Sequence, residues 1–377
     1  MLQQALPKDS IFHLWLDARS IVETPISYDL VCVLSALGVA MRRNAWVDQV
    51  EWKVYPGMSV LLVGPSGVGK NTAIGGAEKI LQHLQCRVIG GKTIETITDQ
   101  LQKCGNPAVA AMFAEELSDF IGKKDYQQGL LQGLTELLET KVSKDISLKS
   151  DAQPRKIMQP TLTMFAGSTA EWLHKAMPPE AMNGGFYPRF VIACEEQVKR
   201  HVPLVKALPS KELLFADAAR SEFYRRLELV VVEQRDCGEF GWEPAAQTMY
   251  EEWYERRHQS FSVVASAYAH RARDHALRAA MLCALSRSKR VIDELDVGFG
   301  VALMEHIAAS VDSALAAQSP ESEVSKKILA LLPCNEALIY REMSKMYPLR
   351  VIREAFGLLH VTQQISSAGS LVCRTED

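Results

Sequence analysis

The most constraining stretch of the chain is Met58-Ser-Val-Leu-Leu-Val63, which runs without a break into Gly64-Pro-Ser-Gly-Val-Gly69-Lys70 and then into Asn71-Thr-Ala-Ile. An uninterrupted apolar run this short suits a strand buried on both faces. Thr72, Ala73, Ile74, Ala77, Ile80 and Leu81 then recur at helical spacing, so the glycine segment has to turn a buried strand into an amphipathic helix. The bare pattern G-x-x-x-x-G-K arises by chance in roughly one chain in ten of this length, so the strand before it and the helix after it decide its meaning. Glycines let consecutive backbone N–H groups turn inward around an anion, and the start of the helix adds a partial positive charge. The segment therefore predicts a phosphate cradle made of Gly64, Pro65, Ser66, Gly67, Val68, Gly69, Lys70, Asn71 and Thr72, with Lys70 bridging the outer phosphates of a nucleotide. The rival reading is a plain glycine turn beside a surface lysine. Asn71 stands where a hydroxyl usually ligates Mg²⁺; its side-chain oxygen is an acceptable hard ligand, and Thr72 is the alternative. Nucleotide binding is expected to survive that exchange, and a slow or inactive hydrolase is one of the outcomes it allows.

Composition sets outer limits. The 377 residues are 47% hydrophobic and 23% charged, ordinary globular values that allow a large core and two or three packed units. Eight cysteines are scattered with no C-x-x-C pair and no histidine cluster at ligand spacing, which argues against a zinc site or a disulfide framework. A reducing, cytoplasmic setting is expected. The sequence predicts neither an export leader nor an apolar run of the roughly 18 residues that cross a membrane. A net charge of −3 means that a nucleic-acid partner has to be met by local basic patches.

Residues 1–55 carry helix-like apolar spacing, as in Leu30, Val31, Leu34 and Leu37, up to the turn signal Tyr55-Pro-Gly, and predict a helical lead-in. Over 56–205, short apolar runs at 59–63, 108–114 and 162–166 alternate with helix-like stretches, the texture of a parallel sheet in an α/β core. Segments 244–264 and 268–286 then read as helices, so a helical lid is expected over 206–316. A polar, proline-punctuated linker precedes a unit over 320–377. In that unit 321–332, 336–346 and 349–359 read as three helices ahead of two strands around Ser366-Ser-Ala-Gly-Ser370. This is the order of a winged helix-turn-helix, whose third helix brings Arg350 and Arg353 to DNA; such units also serve as protein docks.

Other residues fall into place around the cradle. The run 108–114 ends in Glu115-Glu116, which predicts Glu115 in a Mg²⁺ shell and Glu116 polarising an attacking water; the rival reading is a pair that opens the next helix. The run 162–166 leads into Gly167-Ser168-Thr169, where a hydroxyl either touches the γ-phosphate or caps a helix. Arg189 ends the turn Asn183-Gly-Gly-Phe-Tyr-Pro-Arg and is expected to reach a neighbouring subunit's γ-phosphate, with an ordinary salt-bridged arginine as the alternative. Over 140–157, apolar and basic residues alternate around Asp151-Ala-Gln-Pro and predict a β-hairpin. Its Lys144, Lys149, Arg155 and Lys156 either contact DNA phosphates or belong to a solvated surface.

Taken together, GPSGVGKNT (64–72), FAEELSDF (113–120), FAGST (165–169) and GGFYPRF (184–190) resemble the ATPases that phages and mobile elements carry in the helicase and primase-helicase group. The lead-in over 12–45 and HRARDHALRAAMLCAL (270–285) extend the likeness over most of 10–310. The resemblance implies an AAA+-like P-loop NTPase core that assembles into a homo-oligomeric ring, expected as a hexamer. It further implies ATP and Mg²⁺ at subunit interfaces, single-stranded DNA in a central pore, no membrane partner, and Arg271 or Arg273 touching nucleotide in cis. The expected function is that of an ATP-dependent DNA motor or replication initiator. The rivals are an ATP-operated loader that recruits another replication or defence protein, and a small-molecule phosphotransferase, for which no acceptor-pocket motif is evident. Asn71 and the Glu115-Glu116 pair fit the family pattern least well.

Overall fold

The apolar run 59–63 lies at the heart of a parallel sheet, and every one of its residues is buried. The computed structural model describes residues 2–120, 125–139, 143–146, 155–176, 185–198, 200–257, 266–316, 320–361, 365–368 and 371–374. Residues 1–311 form one compact unit and 312–377 a second. The first begins with α1 (Leu2–Ala5), α2 (Phe12–Ala18), α3 (Ile26–Met41), β1 (Ala45–Asp48), β2 (Lys53–Val54), β3 (Ser59–Val63) and α4 (Lys70–His83). It continues through β4 (Val88–Ile89), α5 (Ile94–Gln102), β5 (Val109–Ala114), α6 (Asp125–Leu137), β6 (Ser143–Ile146), β7 (Arg155–Met158), β8 (Thr161–Ser168), α7 (Ala170–Ala176) and β9 (Phe190–Cys194). It ends with α8 (Ser210–Glu233), β10 (Gly238–Glu239), β11 (Gly241–Trp242), α9 (Pro244–Arg256), α10 (Ser266–Ser286), β12 (Val291–Ile292) and most of α11 (Glu294–Ala316).

Five strands make a mixed α/β core of the Rossmann-like kind, in the order β4-β5-β8-β3-β9, all parallel. All residues of β3 and β8 are buried, as expected of strands covered on both faces. The register sets Val63 opposite Ser168 on one side and Cys194 on the other, while Ser59 lies opposite Phe190. The loops that follow β3, β5, β8 and β9 therefore gather at one edge of the sheet, and the residues that precede β9 lie at the other. At a strand's rise, β3 separates the two edges by about 13 Å. Helix α3 packs across β3, β5, β8 and β9 and along α4, and it is buried almost all round, as a core helix must be when it is apolar on every face.

Two expectations are corrected. The segment 1–55 is not wholly helical, since β1 and β2 pair with each other and β1 also pairs in parallel with the distant β10, Ala45 opposite Gly238. Nor do 55 and 206 bound separate bodies. Ile11 N donates to the Ser286 carbonyl at 3.2 Å, the Trp15 and Phe223 rings stand 5.0 Å apart, and the Arg287 guanidinium meets Asp9, Asp293 and Asp296. The lead-in and the helices after the sheet thus share one core. A two-residue strand that pairs across about 190 positions leaves no local periodicity to read, which is why β10 escapes a sequence pattern.

The second unit holds α12 (Pro320–Leu331), β13 (Cys334–Asn335), α13 (Glu336–Met343), α14 (Leu349–Val361), β14 (Ile365–Ala368) and β15 (Leu371–Arg374). The strands form an antiparallel sheet in the order β13-β15-β14, and Val324, Ile328, Ile339, Ile352, Phe356 and Val372 close a core of their own. Among the described residues no helix is long and apolar enough to cross a membrane.

Candidate functional site

The glycine loop follows β3 at the sheet's C-terminal edge. Gly67 and Gly69 take φ of +86° and +94°, the left-handed region in which a side chain is strained, and Gly69 is the residue that caps α4. A Cβ on Gly64 would stand 2.4 Å from the Glu195 carbonyl oxygen and 2.7 Å from the Tyr28 hydroxyl, so that position has room only for hydrogen. The Gly64 amide donates to the Ser168 carbonyl at 3.2 Å and fastens the loop to β8. Lys70 opens α4, is buried, and donates from Nζ to the carbonyls of Gly64 at 2.6 Å and Pro65 at 2.9 Å. Burial lowers the pKa of this ammonium and the Glu116 carboxylate opposes the shift. An ammonium held by two neutral acceptors at a helix start, beside amides that have no intrahelical partner, is a set of donors suited to an anion.

The remaining residues of the edge arrive from neighbouring strands. Glu115 and Glu116 leave β5, and Asn71 Nδ2 donates to Glu115 Oε2 at 3.2 Å, so the residue after the lysine and the first carboxylate meet. Glu116 acts on Lys70 through its charge. β8 lies between β3 and β5, and a Cβ on Gly167 would stand 2.4 Å from the Glu115 carbonyl, so a glycine here is what lets the acidic turn close over β8. Ser168 is buried, with its hydroxyl directed at the Thr169 carbonyl at 3.4 Å. Thr169 accepts from the Trp172 amide at 3.2 Å; of the two hydroxyls it is Thr169 that caps α7.

Sequence patterns missed a clamp from the lead-in. Arg19 Nη2 donates to the Thr72 carbonyl at 3.0 Å, its Nε meets Asp29 Oδ1 at 2.9 Å, and Thr24, which donates to Asp29 Oδ2 at 2.5 Å, packs against Gly69. Tyr28 donates to the Val63 carbonyl at 2.5 Å, directly ahead of the loop. Burial raises the Asp29 pKa while Arg19 and Thr24 pull it down. The available signal was Asp29 itself, a lone carboxylate in the apolar run of α3, a position that needs a partner.

At the opposite edge stand the arginines. Arg189 donates to the Gly185 carbonyl and to Glu139 Oε1, and Arg271 donates to that same oxygen at 2.7 Å. Arg273 pairs with Asp274 at 2.9 Å and lies over the Trp52 ring at 5.0 Å. The start of α10 is tied to the beginning of β9: Tyr268 donates to the Phe190 carbonyl at 2.5 Å, and His275 Nε2 lies 2.8 Å from the Pro188 carbonyl. Arg271 and Arg273 are therefore not brought to the Lys70 loop, and the expected cis contact with nucleotide finds no support in the geometry. Arg189 lies on the far edge too, directly ahead of β9.

The expected DNA-contact residues are spread more widely. β6 and β7 pair in antiparallel fashion, Lys144 opposite Ile157, Lys156 opposite Asp145 and Arg155 opposite Ile146; Lys149 lies outside the described residues. Arg350 and Arg353 are exposed on α14, and Arg350 Nε donates to Glu354 at 2.8 Å. Among the described residues no group of three or more His, Cys, Asp or Glu forms a metal site. Mg²⁺ bound with a nucleotide takes most of its ligands from phosphates and water, and the side-chain oxygens of Asn71 and Glu115, two residues linked beside the loop through the Asn71 Nδ2 donor, are hard donors that fit it. No model of a known protein family and no curated protein matches this chain.

Proposed function

We propose that the chain is a P-loop ATPase of the AAA+ type that works on DNA, as a motor or a replication initiator. One observation carries this reading. Lys70 and the start of α4 sit at the C-terminal edge of β3, and Glu115 and Glu116 reach the same spot from a strand one place removed, across β8 with its terminal Ser168.

In this reading an entering triphosphate takes the Lys70 ammonium from the Gly64 and Pro65 carbonyls, and the amides of Gly67, Gly69 and Lys70 turn toward it. Asn71 and Glu115 would hold Mg²⁺, which would supply neutralising charge for the phosphate oxygens. Glu116 orients and deprotonates the attacking water, and Ser168 lies at the end of the strand beneath it. Arg189 comes from a neighbouring chain to balance charge as the terminal phosphate leaves. The helix-strand-helix-helix-strand-strand order of 312–377 supports a winged helix, with Arg350 and Arg353 on its third helix, and the β6–β7 hairpin offers Lys144, Arg155 and Lys156 to the DNA backbone. Turnover of ATP measured with and without single-stranded DNA, together with a strand-displacement assay, tests this: no stimulation and no displacement removes the motor.

A second reading is favoured by Asn71, whose amide nitrogen engages the carboxylate meant for the metal. A chain so built binds ATP and releases it slowly unhydrolysed, serving as a switch that loads a partner. Tight ATP binding with no phosphate release decides for the switch.

A further inference from the structure

The edge of the sheet away from Lys70 holds a second concentration of charge. Arg189 and Arg271, from different elements, converge on one carboxylate oxygen of Glu139 and border a cavity of about 290 Å³ that Lys53 and Arg278 also line. Among the described residues the carboxylates of that lining are Glu139 and Asp274, and Asp274 is already paired with Arg273. Two guanidiniums thus depend on a single anionic oxygen, and Arg189 is held with its side chain 12% exposed. Two buried atoms at the cavity have no hydrogen-bond partner, Arg189 Nε and His275 Nδ1. His275 is 1% exposed, and with Nε2 donating to the Pro188 carbonyl its Nδ1 is left as an acceptor. Burial, and then the charge of Arg271, push the Arg189 guanidinium down, with Glu139 opposing. Burial pushes Glu139 up, but the hydrogen bond from Arg271 and the two positive charges outweigh it, so the carboxylate stays ionised. Buried cations in excess of their partners are unfavourable until an oxyanion with several lone pairs joins them.

We infer that this cavity is a phosphate site that Glu139 fills in the isolated chain as a built-in anion, and that an incoming terminal phosphate takes Arg189 and Arg271 from it. Two parallel forks suit a phosphate better than one shared carboxylate oxygen, and His275 Nδ1 accepts from a phosphate hydroxyl or from a water that the phosphate carries. The inference deepens the role proposed for Arg189 and rests on that reading, adding Arg271 as a second arginine offered outward. The phosphate comes either from a nucleotide held by a second copy or from free polyphosphate.

Inorganic tripolyphosphate is the probe, titrated calorimetrically into the full chain carrying Lys70→Met, so that the result does not depend on whether the Lys70 loop binds ATP. Arg271→Ala in that background should weaken binding at least tenfold and Glu139→Gln should tighten it about tenfold, by removing the competitor. Should Glu139→Gln fail to fold, Arg271→Lys, which keeps the charge and loses the fork, should weaken binding by a smaller factor than alanine. Tripolyphosphate binding that ignores both positions overturns the inference. Mixing Lys70→Met chains with Arg189→Ala/Arg271→Ala chains separates the sources: regained ATP turnover assigns the phosphate to a neighbour's nucleotide, and a silent mixture with intact probe binding assigns it to free polyphosphate.

Discussion

Replacing Lys70 by methionine keeps the length of the side chain and removes only the ammonium, which makes it the sharpest probe of the phosphate loop. In the free chain that ammonium donates to two carbonyls, Gly64 at 2.6 Å and Pro65 at 2.9 Å, and a triphosphate has to displace both. A unit charge about 4 Å from a phosphate charge gains about 4 kcal/mol at the effective dielectric of a partly buried site. Giving up two hydrogen bonds at about 1 kcal/mol each leaves a net of about 2 kcal/mol, so ATP should bind about thirtyfold more weakly to Lys70→Met. ADP should lose less, and AMP, which has no β-phosphate, should bind both proteins alike. The fold should not suffer in proportion. Burial holds the Lys70 pKa below its unfolded value, so carrying the charge costs the native chain some stability, and its removal should leave the unfolding temperature within about 3 °C of wild type. Calorimetric titration with the three nucleotides at fixed Mg²⁺ and a thermal melt of each protein give both quantities. Unchanged ATP affinity in a variant that melts normally would refute the phosphate-loop reading.

Three further outcomes follow from the geometry. Asn71→Ser restores a hydroxyl beside Glu115 and should raise ATP turnover several-fold at saturating Mg²⁺; a rate that stays flat counts against Asn71 as the brake. Asp29→Asn leaves the half-buried Arg19 guanidinium without the charge of its buried carboxylate and loosens Thr24 on Gly69, so it should cost about 2 kcal/mol in urea unfolding and weaken ATP as well; an intact midpoint would remove the clamp. His275 is neutral in the fold, its pKa driven down to about 3 by burial and by Arg278, while the unfolded chain takes up that proton below about 6.5. Wild type therefore loses stability as pH falls through that window at up to about 1.4 kcal/mol per pH unit, and His275→Gln escapes this loss. The stability gap between the two proteins should shrink by about 2 kcal/mol from pH 6.5 to pH 5; Asp296, raised to about 6, pulls the other way but equally in both, so a constant gap would mean that His275 is protonated in the fold.

What was legible in the sequence was what is encoded locally. The strand-loop-helix around Lys70 announces itself within about 25 residues because a buried strand, two glycines forced to positive φ and an amphipathic helix each leave a pattern at short range. The runs 108–114 and 162–166 are found as Val109–Ala114 and Thr161–Ser168 for the same reason, and the helices of the second unit lie within three residues of the expected ends. Pairings between remote positions were not legible. Nothing near Arg189 in sequence points to Glu139, nor anything near Gly69 to Thr24, since each pairing exists only once the sheet has set the separations. Arg271 and Arg273 show the converse: a family likeness suggested them for the nucleotide, and the backbone ties from Tyr268 and His275 to the start of β9 put them at the wrong edge for a contact in cis.

That division between edges constrains any assembly of the chain. In a parallel sheet flanked by helices, helix N-termini collect beyond the strands' C-terminal ends and helix C-termini beyond the other, so one edge carries partial positive charge and the other partial negative. In the proposed function the Lys70 loop uses the first of these for an anion. Arg189 and Arg271 sit at the second, close to the end of α6 at Leu137, where the partial charge favours cations even though only one carboxylate is shared between them. If the arginines of one copy complete the phosphate site of another, the two surfaces in contact are different surfaces of the same chain. Such a contact is heterologous: it cannot close on itself in a two-fold dimer, and it must run on as a ring or a filament. In that assembly each chain's own Glu139 is released only when its neighbour holds a phosphate, so occupancy at one interface is sensed at Glu139 of the next chain.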